Sequence, residues 1–197
     1  MQPERQKDRL ERCRRAVDEE PDRAANHYNL GLALTVSGRV KQAEEAYVKA
    51  VELDPELVQA WVNLGGVRMM RWDFDGCLEA NRRAVEVDPE CTQAHFNMGQ
   101  AYLYRNEPDK LLECNRRVIE LDRDHAAAHY FSAVAALALD NLPAAERHLG
   151  RAVELGHTPP PDFVKAMEKA QLERTRQSRI TMIEITGASD PDSTKED

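Results

Sequence analysis

The stretch Asn26-His27-Tyr28-Asn29-Leu30-Gly31-Leu32-Ala33-Leu34, NHYNLGLAL, returns as AWVNLGGVR from Ala60 and as AHFNMGQAY from Ala94. Asn29, Asn63 and Asn97 are each 34 residues apart, and a polar residue recurring beside a Leu-Gly pair at a fixed interval marks an internal repeat. The period extends well beyond the asparagines. Gly31, Gly65 and Gly99 are followed by Ala133; Ala50, Ala84, Val118 and Ala152 form a second column, and Val51, Val85, Ile119 and Val153 a third. The phrases KAVELDPE, RAVEVDPE, RVIELDRD and RAVELGHT carry it through four units, with Pro55 and Pro89 closing two of them.

Each unit holds two amphipathic helical patterns. In the first these run over about 24 to 37 and about 40 to 53, joined by Ser37-Gly38-Arg39. Leu30 and Leu34, then Ala43, Tyr47, Ala50 and Val51, recur at three- and four-residue spacing, so each helix has one stripe to bury. The small residues of the Gly31 column let the paired helix approach closely. The chain therefore reads as all-α, a solenoid of stacked helix-turn-helix units. The expected divisions are an N-terminal helix in 1–23, repeats at 24–57, 58–91, 92–125 and a divergent 126–159, a capping helix at 160–178, and a partly disordered tail at 179–197.

The pattern resembles the tetratricopeptide repeat family. Trp61-Leu64-Gly65 matches its first-helix signature, and Leu30-Gly31, Ala43, Tyr47, Ala50 and Pro55 match most of its pattern across a whole unit. The resemblance runs over about residues 3 to 178 and implies a right-handed superhelix. His27, His95 and His129 stand where the family has Trp, Arg68 where it has a second aromatic, and Arg123 and His157 where it has Pro. Ser132 and Ala133 replace Leu-Gly in the last unit. Residues 3 to 20 resemble the second helix of a preceding unit. Phe163, Met167 and Ala170 share a face that should cap the stack, since a terminal repeat cannot leave its apolar face in water.

Composition narrows the function. The chain has 197 residues and a net charge of -8, which argues against a general attraction to nucleic-acid phosphates. The acidic residues of the first 20 positions cancel the arginines of RQKDRLERCRR. No apolar run is long enough for membrane insertion, and the polar start is unlike a secretory signal, so a cytoplasmic location is expected. Cys13, Cys77, Cys91 and Cys114 form no CxxC pair and read as reduced thiols in packed helices. His27, His95 and His129 share a column, but helices about 10 Å apart do not bring three imidazoles onto one zinc, so no metal is expected. No nucleophile, base and orienting group occur together in a recognised motif context; the expectation is a protein that is not an enzyme and takes no cofactor.

Stacked hairpins present their first helices along a concave surface. An Asn one residue before the Leu column is rotated by about 100° from it, toward that surface. Two roles fit Asn29, Asn63 and Asn97: hydrogen-bonded braces between repeats, or a ladder reading a peptide main chain, since an amide offers donor and acceptor together. Similar ladders line groove-binding members of the family. Three such residues supply about 6 kcal/mol at best, against an association cost of about 4 to 15 kcal/mol, so apolar contact must contribute most. Tyr28, Leu32, Val62, Met69, Met70, Phe96, Tyr104, Tyr130 and Phe131 are the candidates, with Gln93 beside Asn97. Phe131 stands where a fourth Asn is due and predicts an apolar end to the ladder. The groove lacks the cations of family members that clamp a terminal carboxylate.

The expected function is an adaptor that binds an extended or helical peptide segment of a partner protein. The alternative is a self-associating structural scaffold or assembly factor whose C-terminal tail occupies the groove, a homo-oligomer through a terminal helix or through the tail. In the tail, Ile180, Met182, Ile183 and Ile185 read as a β-prone run that either lies on the cap or fills a groove.

Overall fold

The computed structural model describes residues 2–186, and these contain ten helices and no strand. Helix α1 (Gln2–Glu19) precedes four hairpins: α2 (Ala24–Val36) with α3 (Val40–Leu53), α4 (Val58–Met70) with α5 (Phe74–Val87), α6 (Thr92–Tyr104) with α7 (Pro108–Leu121), and α8 (Ala126–Ala138) with α9 (Leu142–Glu154). Helix α10 (Pro161–Thr186) closes the chain. The two helices of each hairpin pack on each other, the second helix of each of the first three hairpins packs on the first helix of the next, and α4 also touches α6 directly. The first helices therefore form the inner layer of a curved stack, which fixes where a groove lies.

The turns repeat as faithfully as the helices. Gly38, Trp72, Asn106 and Asp140 all adopt positive φ, from 54° to 70°, to reverse the chain between the helices of a hairpin. Between hairpins, the Oδ1 atoms of Asp54, Asp88 and Asp122 accept hydrogen bonds from the backbone N–H groups of Glu56, Glu90 and Asp124 at 3.0 to 3.1 Å. These Asx turns hold the exit bend. In the last unit Gly156 takes over at φ 86°.

The core changes along the stack. Around repeat 1 it is built from Leu10, Leu34, Ala43, Tyr47, Ala50, Val51, Leu64 and Val67, all buried, and it ties α1 to the first two hairpins. Asn26 adds a polar lock: its Nδ2 donates to the carbonyl of Ala16 at 2.8 Å, near the C-terminus of α1. A second cluster centres on Cys77, Leu78, Met98 and Leu111, and a third on Leu142, Ala145 and Met167. Phe163 and Ala170 pack against the third cluster, and Phe163 meets Tyr130 edge-on at 5.3 Å. Helix α10 thus covers the apolar end of the last repeat.

Two features depart from the sequence reading. The stretch over Ile180, Met182, Ile183 and Ile185 is helix, not a strand, because α10 runs on to Thr186. No glycine or proline interrupts residues 162 to 186, and the β-preference of a few branched residues is weak without a neighbouring strand to pair with. The remaining tail, 187–197, lies outside the described residues. Arg68, where an aromatic was due, ties two repeats together: its Nε donates to Glu44 at 3.3 Å in α3, and Nη1 donates to the Gly76 carbonyl at 3.1 Å in α5.

Candidate functional site

The histidine column has a structural assignment. His27 Nε2 lies 2.7 Å from the Pro21 carbonyl, His95 Nε2 3.0 Å from that of Pro89, and His129 Nε2 3.1 Å from that of Arg123. Trp61 Nε1 makes the same bond to Pro55 at 2.8 Å. A carbonyl only accepts, so each imidazole carries its proton on Nε2 and does the work of an indole N–H. The four junctions that lead into α2, α4, α6 and α8 thus each have one ring N–H bonded six residues back, across the exit turn.

The asparagines occupy three different settings. Asn97 is engaged on both sides: its Oδ1 accepts from Gln93 Nε2 at 2.8 Å, and its Nδ2 donates to Asn81 Oδ1 at 3.2 Å. Asn63 Nδ2 donates to the Gln59 carbonyl at 2.8 Å and reaches Tyr28 Oη at 3.4 Å. Asn29 is exposed and faces a 250 Å³ recess shared with Arg9, Arg12, Cys13 and Asn26 at the edge of α1. Asn97 thus makes the contact of a brace between repeats, with Asn81, fully buried in α5, as its partner.

The predicted apolar residues all keep some contact with solvent. Tyr28, Leu32, Val62, Met69, Phe96, Tyr130 and Phe131 are half-buried, and Met70 and Tyr104 are exposed. Phe96 lies 4.8 Å from the His125 ring and 6.1 Å from Phe131, which in turn is 5.1 Å from Tyr130, so the fourth-repeat end of the inner face is aromatic. Val36, Met70 and Tyr104, each 34 residues from the next, are among the most exposed large apolar side chains. They run as a stripe along the turn-side rim of the inner helices.

Beside that stripe stands an aromatic cluster. Trp72 is 72% exposed and lies 6.0 Å from Phe74 and 5.6 Å from Tyr104, both edge-on. Phe74 and Tyr104 stack at 5.2 Å with their planes 4° apart. Trp72 does this at φ 62°, in a turn column otherwise held by Gly, Asn and Asp. A bulky residue in that region is strained by about 1–3 kcal/mol, and such strain concentrates at functional sites. Trp72 and Phe74 are absent from the set expected from the helical columns; the visible signal was a tryptophan in a slot aligned with Gly38.

Family models for the tetratricopeptide repeat match residues 24–57 and 97–159. The chain is a tetratricopeptide repeat protein. Its solenoid resembles the crystal structure of MamA, with a TM-score of 0.71 and 20% identity over 74% of this chain and 85% of that one. A MamA structure from Desulfovibrio magneticus RS-1 gives 0.71 and 21% over 76% and 85%. YrrB, described as a tetratricopeptide repeat protein with an unusual peptide-binding site, gives 0.69 and 24% over 86% of both chains. Identities this low establish the shared tetratricopeptide fold. No curated protein sequence matches the chain.

Among the described residues no helix is long and apolar enough to cross a membrane. No group of three or more His, Cys, Asp or Glu side chains is placed there to hold a metal ion.

Proposed function

We propose that this protein is a non-catalytic cytoplasmic adaptor, and that its inner groove takes an extended or helical segment of a partner protein. The observation that carries the reading is the exposed Trp72–Phe74–Tyr104 cluster, continuous with the Val36, Met70 and Tyr104 stripe. Aromatic and methionine side chains bring large contact area at low entropic cost, and binding energy concentrates on such anchors. Asn29 and the acceptor oxygen of Asn63 read the partner's main chain, while Asn97 with Gln93 and Asn81 stiffens the groove wall. Tyr28, Leu32, Val62, Phe96, Tyr130 and Phe131 supply the apolar floor. The peptide-binding site noted for YrrB is consistent with this use of the fold.

The test pairs stability with capture. Trp72→Gly relieves turn strain of about 1–3 kcal/mol and gives up two aromatic contacts of about 0.5–1.5 kcal/mol each, so the melting temperature should change little. Wild type and Trp72→Gly are compared as baits in lysate of the source organism. A protein held by the first and lost by the second identifies the partner; equal retention by both removes the cluster from the interface.

A second reading rests on α10. Phe163, Met167 and Ala170, in its first half, pack against the last repeat, and Leu172 is 72% exposed on a helix that continues to Thr186. A scaffold associating through this helix would show a concentration-dependent mass in light scattering that Leu172→Glu abolishes.

A further inference from the structure

A wide cavity lies on the outer side of the stack, between the third and fourth repeats. It has a volume of 830 Å³ and is walled by Leu112 and Ile119 of α7, by Ala144, and by His148 and Arg151 of α9. The equivalent cleft one repeat earlier holds 470 Å³. Met98 and Tyr102 line that earlier cleft, whereas Ser132 and Ala136 occupy the same columns in repeat 4. Two large side chains have been traded for two small ones, and the space opens.

The charge changes with the volume. The earlier cleft is lined by Arg82, Lys110, Arg116 and Arg117 against Glu113 and Glu120; 34 residues on, Glu113 becomes Arg147 and Lys110 becomes Ala144, so the later cleft loses a carboxylate and all its cations are arginines. Arg116, Arg123, Arg147 and Arg151 all border the larger cavity, with Glu120 the one carboxylate among its lining residues. Arg151 is paired with Asp124 at 2.6 Å and Glu154 at 3.1 Å, and Arg116 lies 3.9 Å from Glu120. Arg123 and Arg147 have no carboxylate partner among the described residues. Four guanidiniums on one cleft of a chain with net charge -8 are a local reversal of its electrostatics.

A buried polar group points the same way. Ser132 is fully buried, lines the cavity, and its hydroxyl has no hydrogen-bond partner. A hydroxyl left unpaired in the interior costs about 1–3 kcal/mol, which a bound ligand would recover. His148 adds another polar atom. Its Nδ1 lies 3.2 Å from Nδ1 of His129, and because His129 donates through Nε2, His148 must donate through Nδ1 and keep Nε2 as an acceptor. Burial, with His129 and Arg147 close by, pushes the His148 pKa down, which keeps that lone pair free.

We propose that this cleft is a binding site for a small organic phosphate: a compact apolar body between Leu112, Ile119 and Ala144, with the phosphate held by Arg123 and Arg147. The volume falls within the range of about 300–1,000 Å³ typical of small-molecule sites, and planar guanidiniums match phosphate oxygens two at a time. Ser132 and His148 offer the body a donor and an acceptor. The site is separate from the inner groove.

Titration calorimetry of the full chain with 1-naphthyl phosphate tests this, with 1-naphthol and inorganic phosphate as the halves of the ligand. Saturable 1:1 binding is expected, with each half weaker by about tenfold or more. Arg123→Gln with Arg147→Gln should weaken binding by at least about tenfold, and Ser132→Met, which restores the residue of the previous repeat, should do the same by filling the space. Trp72→Gly should leave it unchanged. Equal affinity for inorganic phosphate, unaltered binding in the double arginine variant, or no saturation up to about 1 mM would each overturn the proposal. The arginines are on the surface, so that variant folds even if Ser132→Met does not.

Discussion

Repeats 1 and 3 use one backbone to opposite ends. In repeat 1, Tyr47 is fully buried, lies under Gly31, and its hydroxyl meets Thr35 Oγ1 at 3.2 Å. In repeat 3 the same column holds Asn115, also fully buried, with neither end of its amide bonded. Repeat 2 shows what Asn115 lacks. There Asn81 donates to the Cys77 carbonyl at 2.8 Å and accepts from Asn97 in the next repeat. The residue that would meet Asn115 in that way is Phe131. A periodic fold can therefore keep its helices while the chemistry of each junction is rewritten, and where one partner changes without the other a buried polar group is left behind.

The comparison breaks most easily at Tyr47. Tyr47→Ala should cost about 3–5 kcal/mol in urea denaturation, because the ring fills the space that Gly31 leaves. A loss under about 1 kcal/mol would mean that repeat 1 is not the anchor of the stack.

The glycine column gives a graded second test. A methyl group at Gly31 would come 2.5 Å from the Tyr47 ring, and one at Gly65 2.0 Å from Asn81 Nδ2, whereas at Gly99 its nearest neighbour would be Asn115 Oδ1 at 3.4 Å. Gly65→Ala should therefore destabilise by about 1–3 kcal/mol as Asn81 is driven off its bonds. Gly99→Ala should be neutral or should stabilise by up to about 1 kcal/mol through helix propensity. Ala133 already occupies this position in the last repeat.

Asn115→Leu is expected to raise stability by about 1–2 kcal/mol, since it removes two unpaired buried polar atoms at similar volume. The same change at Asn81, which is bonded, should lower it. Equal outcomes at the two sites would erase the distinction between repeats 2 and 3.

The smallest effect is on thiol chemistry. Burial raises the pKa of Cys77 and of Cys114 from about 9 to about 11, although an Asn81 hydrogen bond opposes it at Cys77 and Arg82 opposes it at Cys114. Their thiolate fraction at pH 8 is then about a hundredfold below that of an ordinary cysteine. Alkylation followed by mass spectrometry should modify both slowly in the native protein and quickly in urea.

How much of this could be read in advance depended on what carried the signal. The hairpins, their order and the cap at Phe163 and Met167 were legible because apolar spacing is a local property repeated four times. Asn81 was not: a polar residue in an apolar column gives no hint that its partner is Asn97, 16 residues on and in the next hairpin. Trp72 was hidden by its place in a turn, outside the helical periodicity, and the helical state of Ile180 to Ile185 by branched side chains that favour strands only when a strand is there to pair.

The ring column has a consequence for acid tolerance. His27 and His95 donate through Nε2, and an imidazolium retains that N–H, so these junctions survive protonation. His129 also points Nδ1 at His148. A proton added at the free Nε2 of His148 leaves that hydrogen bond in place, but a second, on His129 Nδ1, would set two N–H groups against each other. The junction that borders the outer cleft is thus the one where protonating both rings costs a hydrogen bond.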